Sequence, residues 1–219
     1  MKKILLLVAV LLVLVASGFA NTQYDNYTGF NPYWHPFGNP NTATYGETFT
    51  APLTDTNLTS FSFWFAQPDN PGNIILSAYI ATWTGSHAGT LLYSSPMVNY
   101  PNVGENQLVF NTGGLNLSPG GSYVMFLSVS QYYGQSSGLA QIDAGSATIP
   151  GGNFVYYNNG GDFNALFTNG WDATGLKPDW AVDAEFTSGG GGGVPEPASL
   201  ILLGTGLLGG IGAIRRKLS

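Results

Sequence analysis

The chain has no cysteine and only two histidines in 219 residues. Thiol catalysis, cysteine-ligated zinc and iron–sulfur clusters are thereby excluded, and the fold cannot rest on disulfides. Charge is scarce as well: 8% of residues are charged, where about 25% is usual. Positive charge is the scarcest of all. Lys2, Lys3, Arg215, Arg216 and Lys217 sit at the two extremes, so Lys177 is the one base of residues 21–188 against eleven acids, a net charge of −10. Binding nucleic acid requires clustered Lys and Arg to displace counterions from phosphates, and this interior has none to cluster. A serine nucleophile needs a base to activate it, and neither histidine has a partner at triad spacing, which argues against an acyl hydrolase. Residues 21–188 also lack an i, i+3, i+4 apolar period of helical length.

The two ends read as addresses. Residues 1–20 (MKKILLLVAVLLVLVASGFA) open with Lys2 and Lys3, continue with twelve apolar residues at 4–15, and close with Gly18 and Ala20. That is the layout of a secretory signal peptide cut between Ala20 and Asn21, too short to span a bilayer comfortably. At the other end, five glycines at 189–193 form a linker ahead of Val194, Pro195, Glu196 and Pro197. Residues 198–214 then hold no charge, and Arg215, Arg216 and Lys217 open the tail 215–219. At about 1.5 Å per residue the apolar run reaches about 25 Å, enough for a short membrane helix. The positive-inside rule keeps both basic ends in the cytoplasm and the middle outside. Gly206 and Gly210 make a G-x-x-x-G, which in so glycine-rich a helix reads as chance.

Pro-Glu-Pro, a short apolar helix and an Arg cluster, in that order, resemble the PEP-CTERM sorting signal of bacteria that make exopolysaccharide. The resemblance covers residues 194–217. It implies recognition by a membrane-embedded exosortase, processing near Pro195, Glu196 and Pro197, and loss of the helix. It also implies a need for Arg215, Arg216 and Lys217. A plain tail anchor has no use for Pro-Glu-Pro, and a GPI signal normally ends without a basic cluster.

Between these ends, short runs rich in β-branched and aromatic residues alternate with Gly, Pro, Asn and Ser. They predict strands near residues 47–51, 58–66, 74–83, 107–111, 122–130, 154–157 and 180–187. Phe61, Phe63 and Phe65 alternate with Ser62 and Trp64, and Tyr123, Met125, Leu127 and Val129 with Ser128 and Ser130, the period of a half-buried strand. Pro71-Gly72, Gly113-Gly114, Pro119-Gly120-Gly121, Pro150-Gly151-Gly152 and Asn159-Gly160-Gly161 supply turns. Seven or more such strands suggest an all-β domain over 21–188, an antiparallel sandwich of jelly-roll type. Residues 21–45 read as an extended arm packed on it. From Gly46-Glu47-Thr48-Phe49 to Trp180 and Phe186 the pattern loosely resembles carbohydrate-binding modules.

No catalytic residue stands out. His35 and His87 have no partners at ligand or triad spacing and read as loop residues. Asp183 and Glu185, two apart on a strand, share one face, which reads first as a solvated face. With Asp162, Asp172 and Asp179 they could instead hold a structural Ca²⁺ through hard oxygen ligands. Trp83, Tyr132, Tyr133, Trp171 and Trp180 fall at strand ends or in loops, where a ring either packs or stacks on a sugar face. The expectation is a non-catalytic cell-surface or matrix protein that contacts exopolysaccharide. The alternatives are a secreted carbohydrate-active enzyme and a purely structural coat protein.

Overall fold

The computed structural model describes residues 21–29, 31–101, 103–173 and 179–188. The signal peptide, the linker, the helix at 198–214 and the basic tail lie outside the described residues, as does the side chain of His35. Among the described residues no helix is long and apolar enough to cross a membrane. Residues 21–189 form one compact unit.

Two sheets, antiparallel throughout, make up the unit. The first runs β1 (Thr22–Asp25), β12 (Val182–Thr187), β4 (Asn57–Asn70), β10 (Leu139–Asp143) and β2 (Pro32–Gly38), with β8 (Asn106–Asn116) also on β4. The second runs β11 (Phe154–Tyr157), β3 (Thr44–Thr50), β9 (Ser122–Ser128), β5 (Ile74–Trp83) and β6 (Ala88–Ser94), with β7 (Val98–Tyr100) also on β5. The segment expected to be an arm supplies two strands: β1 closes on β12 and β2 on β10. Asn26 locks the first of these in place. Its buried amide donates to the carbonyls of Ala147 and Trp180 and accepts from the Val182 N–H, so this asparagine is structural.

The alternating phenylalanines of β4 behave as the period dictates. Phe61, Phe63 and Phe65 are buried between the sheets with Tyr45, Phe49, Ile80, Met125, Leu127 and Phe186. Each such side chain contributes about 1.5–3 kcal/mol by leaving water. β9 departs from expectation. Tyr123, Met125 and Leu127 face the inner core, but Val124 and Phe126 on its other side are also 0% exposed. The reason is a third layer. Phe163, Leu166, Phe167 and Trp171 pack over the outer face of the second sheet, where Tyr79, Ala81, Val124, Phe126 and Val155 form a second apolar cluster. Phe126 stacks on Tyr79 (4.9 Å) and meets the Trp171 ring edge-on at 5.3 Å. Gly46 makes room for this: a Cβ there would lie 2.9 Å from the Phe126 Cβ.

The glycine pair expected to end a strand does not. Gly113 and Gly114 take φ of 73° and 97° while β8 continues through them. Ser60 pairs with Asn111 but Leu58 with Leu115, so the extra residues bulge out.

Candidate functional site

β11 ends in Val155, Tyr156 and Tyr157, with Asn158 next in the chain, and the return of the covering segment brings Trp171, Asp172 and Ala173 back against it. Backbone hydrogen bonds in both directions between Tyr156 and Asp172 (3.1 and 2.9 Å) fix that approach. Alternation along β11 sends the Tyr156 ring toward the inner core and the Tyr157 ring toward the outer cluster. Between them lies an open cleft of about 500 Å³ lined by Tyr156, Tyr157, Asn158, Gly170, Trp171, Asp172 and Ala173, within the size range of small-ligand sites.

Both tyrosine hydroxyls are held. Tyr156 donates to Asp172 Oδ2 at 2.9 Å, and the Tyr157 hydroxyl accepts from Asn169 Nδ2 at 2.9 Å. Burial first, then the hydrogen bond to Asp172 and its charge, push the Tyr156 hydroxyl up from 10.0; it is a donor at neutral pH. The Trp171 indole N–H donates to the Leu166 carbonyl, and Trp83 meets Trp171 edge-on at 5.7 Å. The chemistry on offer is recognition: ring surface, an amide, and a carboxylate that holds the Tyr156 hydroxyl.

The expected aromatics separate. Trp83 and Trp171 come together, although Trp171 is only 6% exposed and serves as floor. Tyr132 and Tyr133 sit in a 3₁₀ segment, Ser130–Gln135, away from the lining of the cleft. Trp180 is corrected outright: its ring is 0% exposed among Tyr45, Phe63 and Phe65, and its N–H donates to the Trp64 carbonyl. Offering that ring to a sugar would mean emptying the core. Tyr156 and Tyr157 are not among the aromatics expected from the sequence, although polar-tipped rings just before Asn158, Asn159 and Gly160 mark a strand end where rings emerge.

The five acids proposed for Ca²⁺ do not assemble. Asp162 receives the Ala165 N–H, Asp172 the Tyr156 hydroxyl, and Asp179 is buried. Asp183 and Glu185 lie on the outer face of the first sheet, alternating with buried Val182, Ala184 and Phe186. There Asp183 accepts from Gln23 and Glu185 from Ser60. Among the described residues no three of His, Asp and Glu are placed to hold a metal ion. β12 simply turns these acids to solvent while its other face builds the core. Burial, before any neighbouring charge, raises the Asp183 carboxyl above 3.8. His87 hydrogen-bonds Thr84 and Ser86 within its own loop.

The first sheet presents a second group of rings. Tyr27 stacks flat on Trp64 at 3.8 Å, and its hydroxyl donates to Glu105, which raises it to about 12. Nearby, Asp143 is 0% exposed; its Oδ1 accepts the Asn31 N–H while Oδ2 has no hydrogen-bond partner. Burial pushes this carboxyl up.

Comparison with known proteins adds the decisive feature at the C-terminus. Residues 193–217 match the PEP-CTERM protein-sorting motif, so the chain carries that motif where the Pro-Glu-Pro resemblance placed it. The motif implies an exported protein, handled by an exosortase and sorted to the cell surface. No curated protein matches the chain. Among solved structures, the cysteine protease and lectin-like domains of Cwp84, a surface layer associated protein of Clostridium difficile, are similar at 14% identity. The TM-score is 0.42, over 68% of this chain and 32% of that one. The clostridial cysteine protease Cwp84 after propeptide cleavage is similar at 15% identity and TM-score 0.47, over 77% and 40%. This chain thus spans well under half of either, and similarity at that level bears on neither ligand nor chemistry.

Proposed function

We propose that this protein is a non-catalytic component of the bacterial surface or extracellular matrix, released by an exosortase and contacting exopolysaccharide through the cleft at Tyr156, Tyr157 and Trp171. The sorting half rests on the motif at 193–217. The binding half rests on the cleft, where two half-exposed tyrosines with anchored hydroxyls flank an aromatic floor. The strand orders β1-β12-β4-β8 and β3-β9-β5-β6 support a jelly-roll reading, because they interleave two Greek keys.

The mature protein then runs from Asn21 to the Pro-Glu-Pro region. Intact mass of surface-extracted protein tests this; a mass that still includes residues 198–219 would reduce the C-terminus to an ordinary anchor. Replacing Arg215, Arg216 and Lys217 by Gln should leave precursor in the membrane fraction, and unchanged yield and mass would refute exosortase recognition.

A secreted carbohydrate-active enzyme is the competing reading from another class. Its supporting observation is the Asp183 and Glu185 pair, two carboxylates on one face of β12, with burial raising the Asp183 carboxyl. Turnover of any polysaccharide by the purified protein, abolished in Asp183→Asn, would favour it.

A further inference from the structure

We infer that the polysaccharide taken by this cleft is uncharged, and that uronate-bearing or otherwise anionic glycans are rejected. The inference rests on the glycan-binding reading above and deepens it. Among the described residues, the seven that line the cleft include one carboxylate, Asp172, and no base. Asp172 is held at the surface of the cleft by the Tyr156 hydroxyl on Oδ2 and by paired backbone hydrogen bonds, so its charge cannot swing away from a ligand.

Recognition of a sugar carboxylate relies on Arg or Lys, whose donors match its oxygens. Residues 21–188 contain no arginine and a single lysine, against eleven acids. An anionic polymer would therefore meet repulsion at the cleft and over the whole domain. An uncharged polymer meets what the cleft does supply. The partly exposed ring of Tyr157, over the floor that Trp171 supplies, suits the C–H face of a pyranose, and the exposed amide of Asn158 offers a donor and an acceptor for its hydroxyls.

The test uses the full chain in a detergent without a sugar headgroup, with EDTA to prevent cation bridging. Its binding to immobilised neutral glucan, mannan, galactan and xylan is compared with binding to polygalacturonate, alginate and hyaluronate. At about 20 mM NaCl, where screening reaches about 20 Å, at least one neutral polymer should bind about tenfold or more tightly than every uronate polymer. The gap should narrow at about 1 M NaCl, where the screening length falls to about 3 Å.

Equal or tighter binding of a uronate polymer at low salt overturns the inference while leaving glycan binding intact. Binding of neither panel overturns the glycan reading itself. Tyr157→Ala and Asn158→Ala place the site: each should weaken neutral binding by about fivefold or more. Asn158 is exposed, so its variant stands even if Tyr157→Ala fails to fold. Full binding by a folded variant of both positions would remove the ligand from this cleft.

Discussion

The two sheets share one core yet differ on their outer faces. The first turns Gln23, Ser60, Asp183, Glu185 and Gln107 outward, linked by side-chain hydrogen bonds. The second turns Tyr79, Val124, Phe126 and Val155 outward and buries them under residues 163–173. An antiparallel sheet exposed on one side alternates strictly, whereas one covered on both sides reads as a continuous apolar run. β9 (SYVMFLS) is such a run and β12 (VDAEFT) is not. The difference locates the cleft: a covering segment must end somewhere, and where it returns to β11 its rings meet those of the strand.

The largest expected effect separates core from cover. Trp180→Ala should cost about 3–5 kcal/mol in denaturant unfolding, because the surrounding rings cannot collapse into the space. Trp171→Ala should cost less, about 2–3 kcal/mol, since a loop layer relaxes more readily than a strand. It should also raise hydrogen exchange chiefly in residues 158–173. Equal losses with global exchange would mean the cover is as integral as the core.

Gly46→Ala is a narrower probe. The new methyl would meet the Phe126 Cβ at 2.9 Å and the Met125 carbonyl at 3.0 Å, so overpacking of about 1–3 kcal/mol is expected in the melting transition. Little or no loss would mean that β9 gives way by the few tenths of an ångström the methyl needs.

On the first sheet the expected change has the opposite sign. Asp143 ionised is a buried charge with one oxygen unpartnered; Asp143→Asn keeps an acceptor for the Asn31 N–H and should stabilise by about 1 kcal/mol at neutral pH. The sign in pH follows. Burial raises the folded-state values of Asp143 and Asp183 above 3.8, so as pH falls through those raised values the folded state takes up protons before the unfolded state does. Stability should therefore increase on mild acidification and level off near 3.8, and the slope should shrink in Asp143→Asn. A melting midpoint that falls steadily from pH 7 to 5 would contradict this.

Smallest is Asp183→Asn, exposed enough that screening leaves a few tenths of a kcal/mol, measured as a slight gain in midpoint that fades in salt. Asp25 lies directly opposite Asp183 on β1, and like charges in register repel.

Much of this was legible in the chain itself. Alternating phenylalanines at 61, 63 and 65, turn residues at fixed places and the absence of helical period are local properties, and they determined an antiparallel β domain. The ends are more local still: the motif at 193–217 is a linear string recognised by its order of residue types. What the sequence could not decide was which rings face out. Trp180 and Trp171 look alike as strand-end or loop tryptophans, yet one is surrounded by Tyr45, Phe63 and Phe65 and the other floors a cleft. Likewise five acids within 24 residues read as a possible cation site, but β12 carries Asp183 and Glu185 on the first sheet while the covering segment holds Asp172 against the second. Pairing between β11 and residue 172, and the choice of which sheet receives a cover, join positions far apart in the chain. Only the tertiary structure decides them, because burial of a side chain depends on what the rest of the chain lays over it.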